Sequence, residues 1–339
     1  MSQKILTEGT MLLERPVYIR GKGSAVGQEE AKGPLAEYFD IKAEDAKWGE
    51  KSFEFAEKKF FMSACKKAIE DAGLSIGEID LLLGGDLLNQ IITASYSARD
   101  LGIPFLGIYG ACSGMAQTLA MGSMLIDGGF GKNILCAASS HYATAERQFR
   151  FPLELGTPKP PTGQDTVTGA GATVISSEKE ENQVAIRALT VGRCVDFGIN
   201  DANNMGAAMA PAAAQSILTH LQNRGTQPQD YDAIFTGDLG MFGSKLMVNM
   251  AMRCGTDLTG VHKDCGSMIY AGMKSKRCGA SGCGCCAVVL NGYILRQLEQ
   301  GAYRRVLFTA TGAMMSTTSV QQGESIPGIA HVIELERVD

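Results

Sequence analysis

The chain has 339 residues, long enough for two domains or one large duplicated one. With 45% apolar and 20% charged residues, a net charge of −5 and mean hydropathy near zero, it reads as a soluble globular protein with no whole-chain signal for nucleic acid. Ten cysteines without secretory spacing, no apolar leader core in residues 1–15 and no run of about 18 apolar residues point to reduced thiols on the cytosolic side, in a chain that does not itself span a membrane.

In chain order, residues 16–20 read as a short strand, and the Gly- and charge-rich stretch 21–51 reads as loop. Apolar residues at helical spacing (Phe53, Phe60, Phe61, Ala64, Ala68) predict a helix over 53–71 closed by Gly73. An apolar strand at 79–83 runs into Gly84-Gly85-Asp86-Leu87, and a helix follows over roughly 89–101. Next come a strand at 104–108, a turn holding Cys112, a small-residue helix to Ile126, a turn at 128–133 and a buried strand at 134–138. Residues 139–168 read as a long polar loop carrying His141, Arg147 and Arg150, of the kind that is usually functional or disordered. A strand at 172–175 and a charged surface link at 178–182 end the first half. Gly169-Ala170-Gly171-Ala172 precedes that strand rather than following one, so a dinucleotide-binding reading is weak.

The second half replays the first. Residues 231–239 match 79–87, including the closing Gly-Asp-Leu; residues 279–283 match 110–114; residues 301–307 match 129–135. Three matches in one order predict two copies of an α/β unit, residues 1–182 and 183–339, with mixed, mostly parallel sheets covered by helices on both faces. The matched helices are rich in Ala, Gly, Ser and Cys, so they are expected to lie buried between the sheets with their N-termini facing a shared cavity. Met62, Met115, Met121, Met124, Met247, Met250 and Met252 read as core.

Cys112 sits between a strand end and a helix start, where unpaired N–H groups and the helix dipole favour a thiolate. Cys278, Cys283, Cys285 and Cys286 lack the paired spacing of zinc sites and read as close-packed small residues. No acidic loop of the calcium-binding kind appears, so no resident metal or cofactor is expected.

The duplicated unit with Ala111-Cys112-Ser113-Gly114 opening its central helix resembles the thiolase superfamily, an α-β-α-β-α layered fold, and the stretch is closest to the initiating ketoacyl synthases. Over nearly the whole chain, residues 139–151, Lys159-Pro160-Pro161-Thr162, 166–172, 281–285, Ala310-Thr311-Gly312-Ala313 and 321–331 are similar to the stage V sporulation protein AD family. That resemblance implies a non-catalytic binding protein for dipicolinic acid or its calcium complex. It would work with membrane-embedded partners of the same operon at the cytosolic face of the forespore or spore inner membrane. Superfamily resemblance also implies a homodimer.

Thiolase-type condensation needs a thiolate nucleophile, a His partner with a second His or Asn, and oxyanion donors. Cys112 matches the nucleophile, yet the matching partner positions, at Asp238 and near Gly279-Ala280, hold no imidazole or amide. Asp238 would raise rather than lower a nearby thiol's pKa. His262, in Val261-His262-Lys263-Asp264, reads as a surface-loop histidine. The expectation is therefore a retired active site reused as a binding pocket, with Cys112 catalytic only if the protein is an enzyme. The alternatives are a condensing enzyme or acyltransferase using Cys112 on acyl-CoA, and a scaffold that binds neither ligand. For a planar dianion the candidate contacts are Cys112, Ser113, Gly114, Asp238, Ser281 and Gly282, with His141, Arg147 and Arg150 as the cationic side. Against this, Arg147 and Arg150 are equally placed to pair with Glu146 and Glu154 at the surface.

Overall fold

The computed structural model describes residues 9–149, 153–156, 158–180, 183–276 and 278–338. The first half contains β1 (Thr10–Val26), β2 (Ile41–Lys42), α1 (Phe53–Asp71), β3 (Leu81–Gly85), α2 (Ile92–Leu101), β4 (Phe105–Gly107), α3 (Gly114–Gly128), β5 (Asn133–Ser140), α4 (Tyr142–Phe149), β6 (Asp165–Thr166) and β7 (Gly169–Ser176). The second contains β8 (Val184–Thr190), α5 (Met205–Arg224), β9 (Ala233–Thr236), α6 (Gly240–Arg253), β10 (His262–Asp264), α7 (Cys265–Ile269), β11 (Ala280–Ser281), α8 (Cys283–Val289), α9 (Leu295–Glu299), β12 (Arg305–Ala313), α10 (Thr317–Gln321) and β13 (Gly328–Arg337).

The strand order repeats. In one leaf it is β4-β3-β5-β7-β1, with β3 parallel to β4 and β5, and β7 antiparallel to β5 and β1. In the other it is β10-β9-β12-β13-β8, with β9 parallel to β10 and β12, and β13 antiparallel to β12 and β8. The long strand β1 also pairs antiparallel with β8, so the leaves are joined in one sheet. Local chemistry repeats as well. Asp80 accepts the N–H groups of Lys132 and Asn133 at the start of β5, and Asp232 accepts those of Arg304 and Arg305 at the start of β12.

Alternation along the strands sorts the side chains into three cores. Leu82 and Leu135 face outward onto Phe60 and Phe61 of α1. Ile234 and Leu307 face outward onto Met209 and Ile217 of α5. Their neighbours Leu83, Cys136, Phe235 and Phe308 face inward, onto Met115 and Leu119 of α3 and Val288 and Val289 of α8. Burying one apolar face of each sheet on the same central helix pair holds the leaves together. Met115 and Met247 are core, whereas Met252 is exposed on α6.

The start of a stretch that reads as loop is strand, and the strand expected at 172–175 begins three residues earlier. β1 extends from Thr10 to Val26, through the glycines that suggested a turn. A Cβ at Gly21 would stand 2.3 Å from the Ala68 carbonyl oxygen, and one at Gly23 2.4 Å from that of Ala64, so α1 rests directly on the strand. Gly169 and Gly171 likewise lie inside β7; a Cβ at Gly171 would stand 2.2 Å from the Ala287 oxygen of α8. The polar stretch after β5 contains helix α4, which carries Arg147, with His141 in the position just before it rather than in a long loop. His262 is not on a surface loop either. It lies on β10, paired with Ile234, and its Nε2 is 2.9 Å from the Thr236 hydroxyl.

Candidate functional site

Cys112 is presented by a tight turn. Ala111 has φ of +48°, an uncommon conformation for a residue with a Cβ. The Ser113 hydroxyl and N–H both return to the Gly110 carbonyl, at 2.6 and 3.0 Å. The other half pins the same turn: the Cys283 thiol donates to the Ala111 carbonyl at 2.9 Å and the Cys286 thiol to that of Cys112 at 3.6 Å. Close packing of small side chains on α8 is what allows this approach, with a Cβ at Gly284 falling 2.5 Å from the Gly169 oxygen.

The turn opens onto a cavity of about 510 Å³, lined by Cys112, Ala111, Ser281, Thr166 and Asp86 among others. Ser281 and Thr166 sit side by side because β11 and β6 pair in parallel and so bridge the two halves. The rest of the lining is largely apolar, from Leu87, Ile91, Met205 and Met315. The described charged residues in it are Asp86 and Glu146. Neither is an open charge: Asp86 accepts the N–H groups of Leu88 and Ala94, both at 2.8 Å, and Glu146 pairs with Lys159 at 2.9 Å.

Behind Cys112 lies Asp238, buried, accepting from the Thr311 hydroxyl at 2.7 Å and the Gly282 N–H at 3.0 Å. It also takes the Cys112 thiol proton as a hydrogen bond. Burial pushes the Asp238 carboxyl up to about 7. Burial, and after it the Asp238 carboxylate, push the Cys112 thiol well above its ordinary range. The expectation of a thiolate is therefore overturned: loss of solvent and a facing carboxylate outweigh the helix dipole. Asp86 is the counterpart of Asp238 in the repeated Gly-Asp-Leu, and both carboxyls end buried at this site. The repeat was the signal that could have found Asp86.

Of the residues expected at the site, Cys112 and Ser281 line the cavity and Asp238 stands behind the thiol. Ser113, Gly114 and Gly282 are buried, with the Ser113 hydroxyl and the Gly282 N–H already engaged as above. His141 and Arg147 are placed elsewhere. The His141 ring packs on Phe53 and Phe60, accepts the Ala143 N–H at Nδ1, and donates from Nε2 to the Ala46 carbonyl at 2.7 Å. Burial lowers its pKa, so it stays neutral. Arg147 pairs with Glu54 and covers the Phe53 ring, because α4 carries it onto α1 rather than toward the cavity. Arg150 lies outside the described residues. None of the four histidines lines the cavity. Cys265, Cys278, Cys283, Cys285 and Cys286 are buried thiols, and the Cys285 thiol reaches the Gly237 carbonyl at 3.5 Å.

A model of the stage V sporulation protein AD (SpoVAD) family matches residues 7–336. The chain belongs to that family. It is 45% identical over 334 residues to "Stage V sporulation protein AD" of Bacillus subtilis (strain 168), covering 98% of each chain. Among solved structures it is similar to cerulenin-bound OleA of Xanthomonas campestris, with a TM-score of 0.61 and 15% identity over 96% of this chain and 98% of that one. It is also similar to 3-oxoacyl-[acyl-carrier-protein] synthase III of Aquifex aeolicus VF5, with a TM-score of 0.58 and 16% identity over 94% and 99%. These likenesses show a thiolase-like fold. No helix among the described residues is long and apolar enough to cross a membrane.

Proposed function

We propose that this sporulation protein binds dipicolinate, chiefly as its calcium complex, in the cavity over Cys112 and without covalent chemistry. The observation that carries the reading is the partner of the thiol. Where a condensing enzyme needs an imidazole to take the proton, Cys112 faces the buried Asp238 and keeps its proton. The cavity is large enough for a planar heterocycle, with apolar walls and the Cys112 thiol and Ser281 and Thr166 hydroxyls on one side. No described lysine, arginine or histidine lines it. A free dianion would lose its hydration there without a counter-charge, whereas a calcium complex brings its own.

The working protein is a homodimer formed along β4. That strand pairs only with β3 among the described residues, and Leu106 and Tyr109 beside it are 47% and 62% exposed. It acts with membrane-embedded partners at the spore inner membrane, as the family resemblance implies.

The test is thermal stabilisation by calcium dipicolinate, free dipicolinate and acyl-CoA thioesters, with intact-mass analysis of each sample. Stabilisation by the chelate without a mass change supports the proposal. A turning-over acyl adduct on Cys112 favours the acyltransferase reading. No stabilisation by any of them favours a scaffold.

A further inference from the structure

One wall of the cavity, residues 87–91, is held in a conformation its residues resist. Gln90 has φ 61° and ψ 18°, and Ile91 φ 44° and ψ 51°. Two successive non-glycine residues in the left-handed region are costly, above all for a β-branched side chain. Ile91 is nonetheless 4% exposed, with its Cδ1 where a Cβ at Gly107 would fall 2.3 Å away. The Ser95 hydroxyl donates to its carbonyl at 2.9 Å.

The segment is tied down from both ends by one carboxylate. Asp86 Oδ1 takes the Leu88 N–H and Oδ2 the Ala94 N–H, across the strained residues. Gln148 of α4 adds a second tie, accepting the Asn89 N–H at 2.9 Å and donating to the Leu87 carbonyl at 2.7 Å. Behind Asp86 stands Glu57 of α1, fully buried, accepting from the hydroxyls of Ser139 at 3.1 Å and Thr144 at 2.9 Å. Cys283 of α8 faces both carboxyls, Glu54 lies beyond Glu57 on α1, and Glu146 of α4 and Cys112 share the cavity.

We propose that residues 87–91 are a gate over the cavity, latched by the Asp86 carboxylate and released when Asp86 takes up a proton. Two buried carboxyls, one of which feels the other's charge, do not both ionise readily. Burial, and after it the Asp86 charge, push Glu57 up to about 8; burial pushes Asp86 up to about 6. With Glu57 the more readily protonated of the two, the Asp86 carboxylate makes one charge-assisted bond to Leu88 in the segment and one to Ala94 of α2 just beyond it. Below about 6 Asp86 becomes neutral and one oxygen carries a proton, so one bond weakens and the strain at Gln90 and Ile91 favours opening. The gate is a property of the free protein and does not depend on which ligand enters.

The experiment is hydrogen–deuterium exchange of the full chain without ligand, read on peptides covering 86–94, corrected for the intrinsic pH dependence and referenced to β5. Protection of the segment is expected to fall at least fivefold from pH 7.5 to 5.5, while β5 is unchanged. Asp86→Asn shows the low protection at both pH values, and Glu57→Gln, an uncharged stand-in for a carboxyl that already holds its proton, leaves the fall where it is in wild type. Gln90→Gly relieves one strained position without touching the latch and raises protection at pH 5.5, which keeps the test decisive if Asp86→Asn folds poorly. A flat wild-type profile, or Asp86→Asn as protected as wild type at pH 7.5, overturns the proposal, as does Gln90→Gly indistinguishable from wild type at pH 5.5.

Discussion

Replacing Asp238 by asparagine keeps the shape of the side chain behind Cys112 and removes its titration. In the folded chain burial raises this carboxyl from 3.8 to about 7. Between those values the unfolded chain has released the proton and the folded chain still holds it, so stability falls as pH rises through the window and levels off above about 7. At 1.36 kcal/mol per pH unit the full penalty is ~4 kcal/mol, and relaxation of the site reduces it to roughly half. The substituted amide still offers one oxygen to the Gly282 N–H, but the bond from the Thr311 hydroxyl or the Cys112 thiol must reverse or be lost. That costs about 1 kcal/mol at every pH. Urea unfolding at pH 5 and pH 8 measures both terms. Only the part of the window from pH 5 to about 7 is crossed, so the stability difference should shift by ~1.3 kcal/mol in favour of Asp238→Asn between pH 5 and pH 8. Other titrating groups cancel between the two proteins. A stability difference constant to within about 0.5 kcal/mol over that range would refute the buried, proton-holding Asp238.

Gly171→Ala puts a Cβ 2.2 Å from the Ala287 oxygen, with backbone on both sides, and should destabilise by at least ~2 kcal/mol in the same assay. Glu334 is buried, and His220, Arg224 and Arg305, at 3.2, 2.9 and 2.8 Å, overcome that burial and hold its carboxyl well below the usual range. Glu334→Gln should therefore cost about 3–5 kcal/mol at pH 7, and less as the pH falls and wild type loses the same charge. Arg147→Ala should leave the affinity for calcium dipicolinate within about twofold, since Arg147 serves Glu54, whereas Ser281→Val at the cavity wall should weaken it at least tenfold in calorimetry.

The duplication was readable because it rests on short motifs with strict geometry. The Gly-Asp-Leu ends of β3 and β9 and the Gly turns before α3 and α8 recur where the chain must turn sharply beside another backbone. The helix at Phe53–Asp71 was readable from its apolar spacing and its glycine stop, with Gly73 at φ +65°. The same feature misled in β1, where Gly21 and Gly23 answer a helix lying across the sheet; nothing local distinguishes such a glycine from a turn glycine. Helix α4 was hidden by polar residues, among them Thr144, whose hydroxyl is turned inward onto Glu57. At the site, Cys112, Asp238 and Ser281 followed from motif position. The upward push of Asp238 on the Cys112 thiol was legible too; the larger cause, burial contributed by the other half, was not. Glu57 could have been suspected from its place beside Phe53, Phe60 and Phe61 on one helix face, but its pairing with Asp86 is a long-range event.

Crystals grown with calcium dipicolinate would show by diffraction whether the chelate binds as proposed. The chelate is expected in the cavity between the halves, in contact with Ser281 and beside an unmodified Cys112 sulfur. Density for the ligand outside that cavity, or continuous with the Cys112 sulfur, would contradict it.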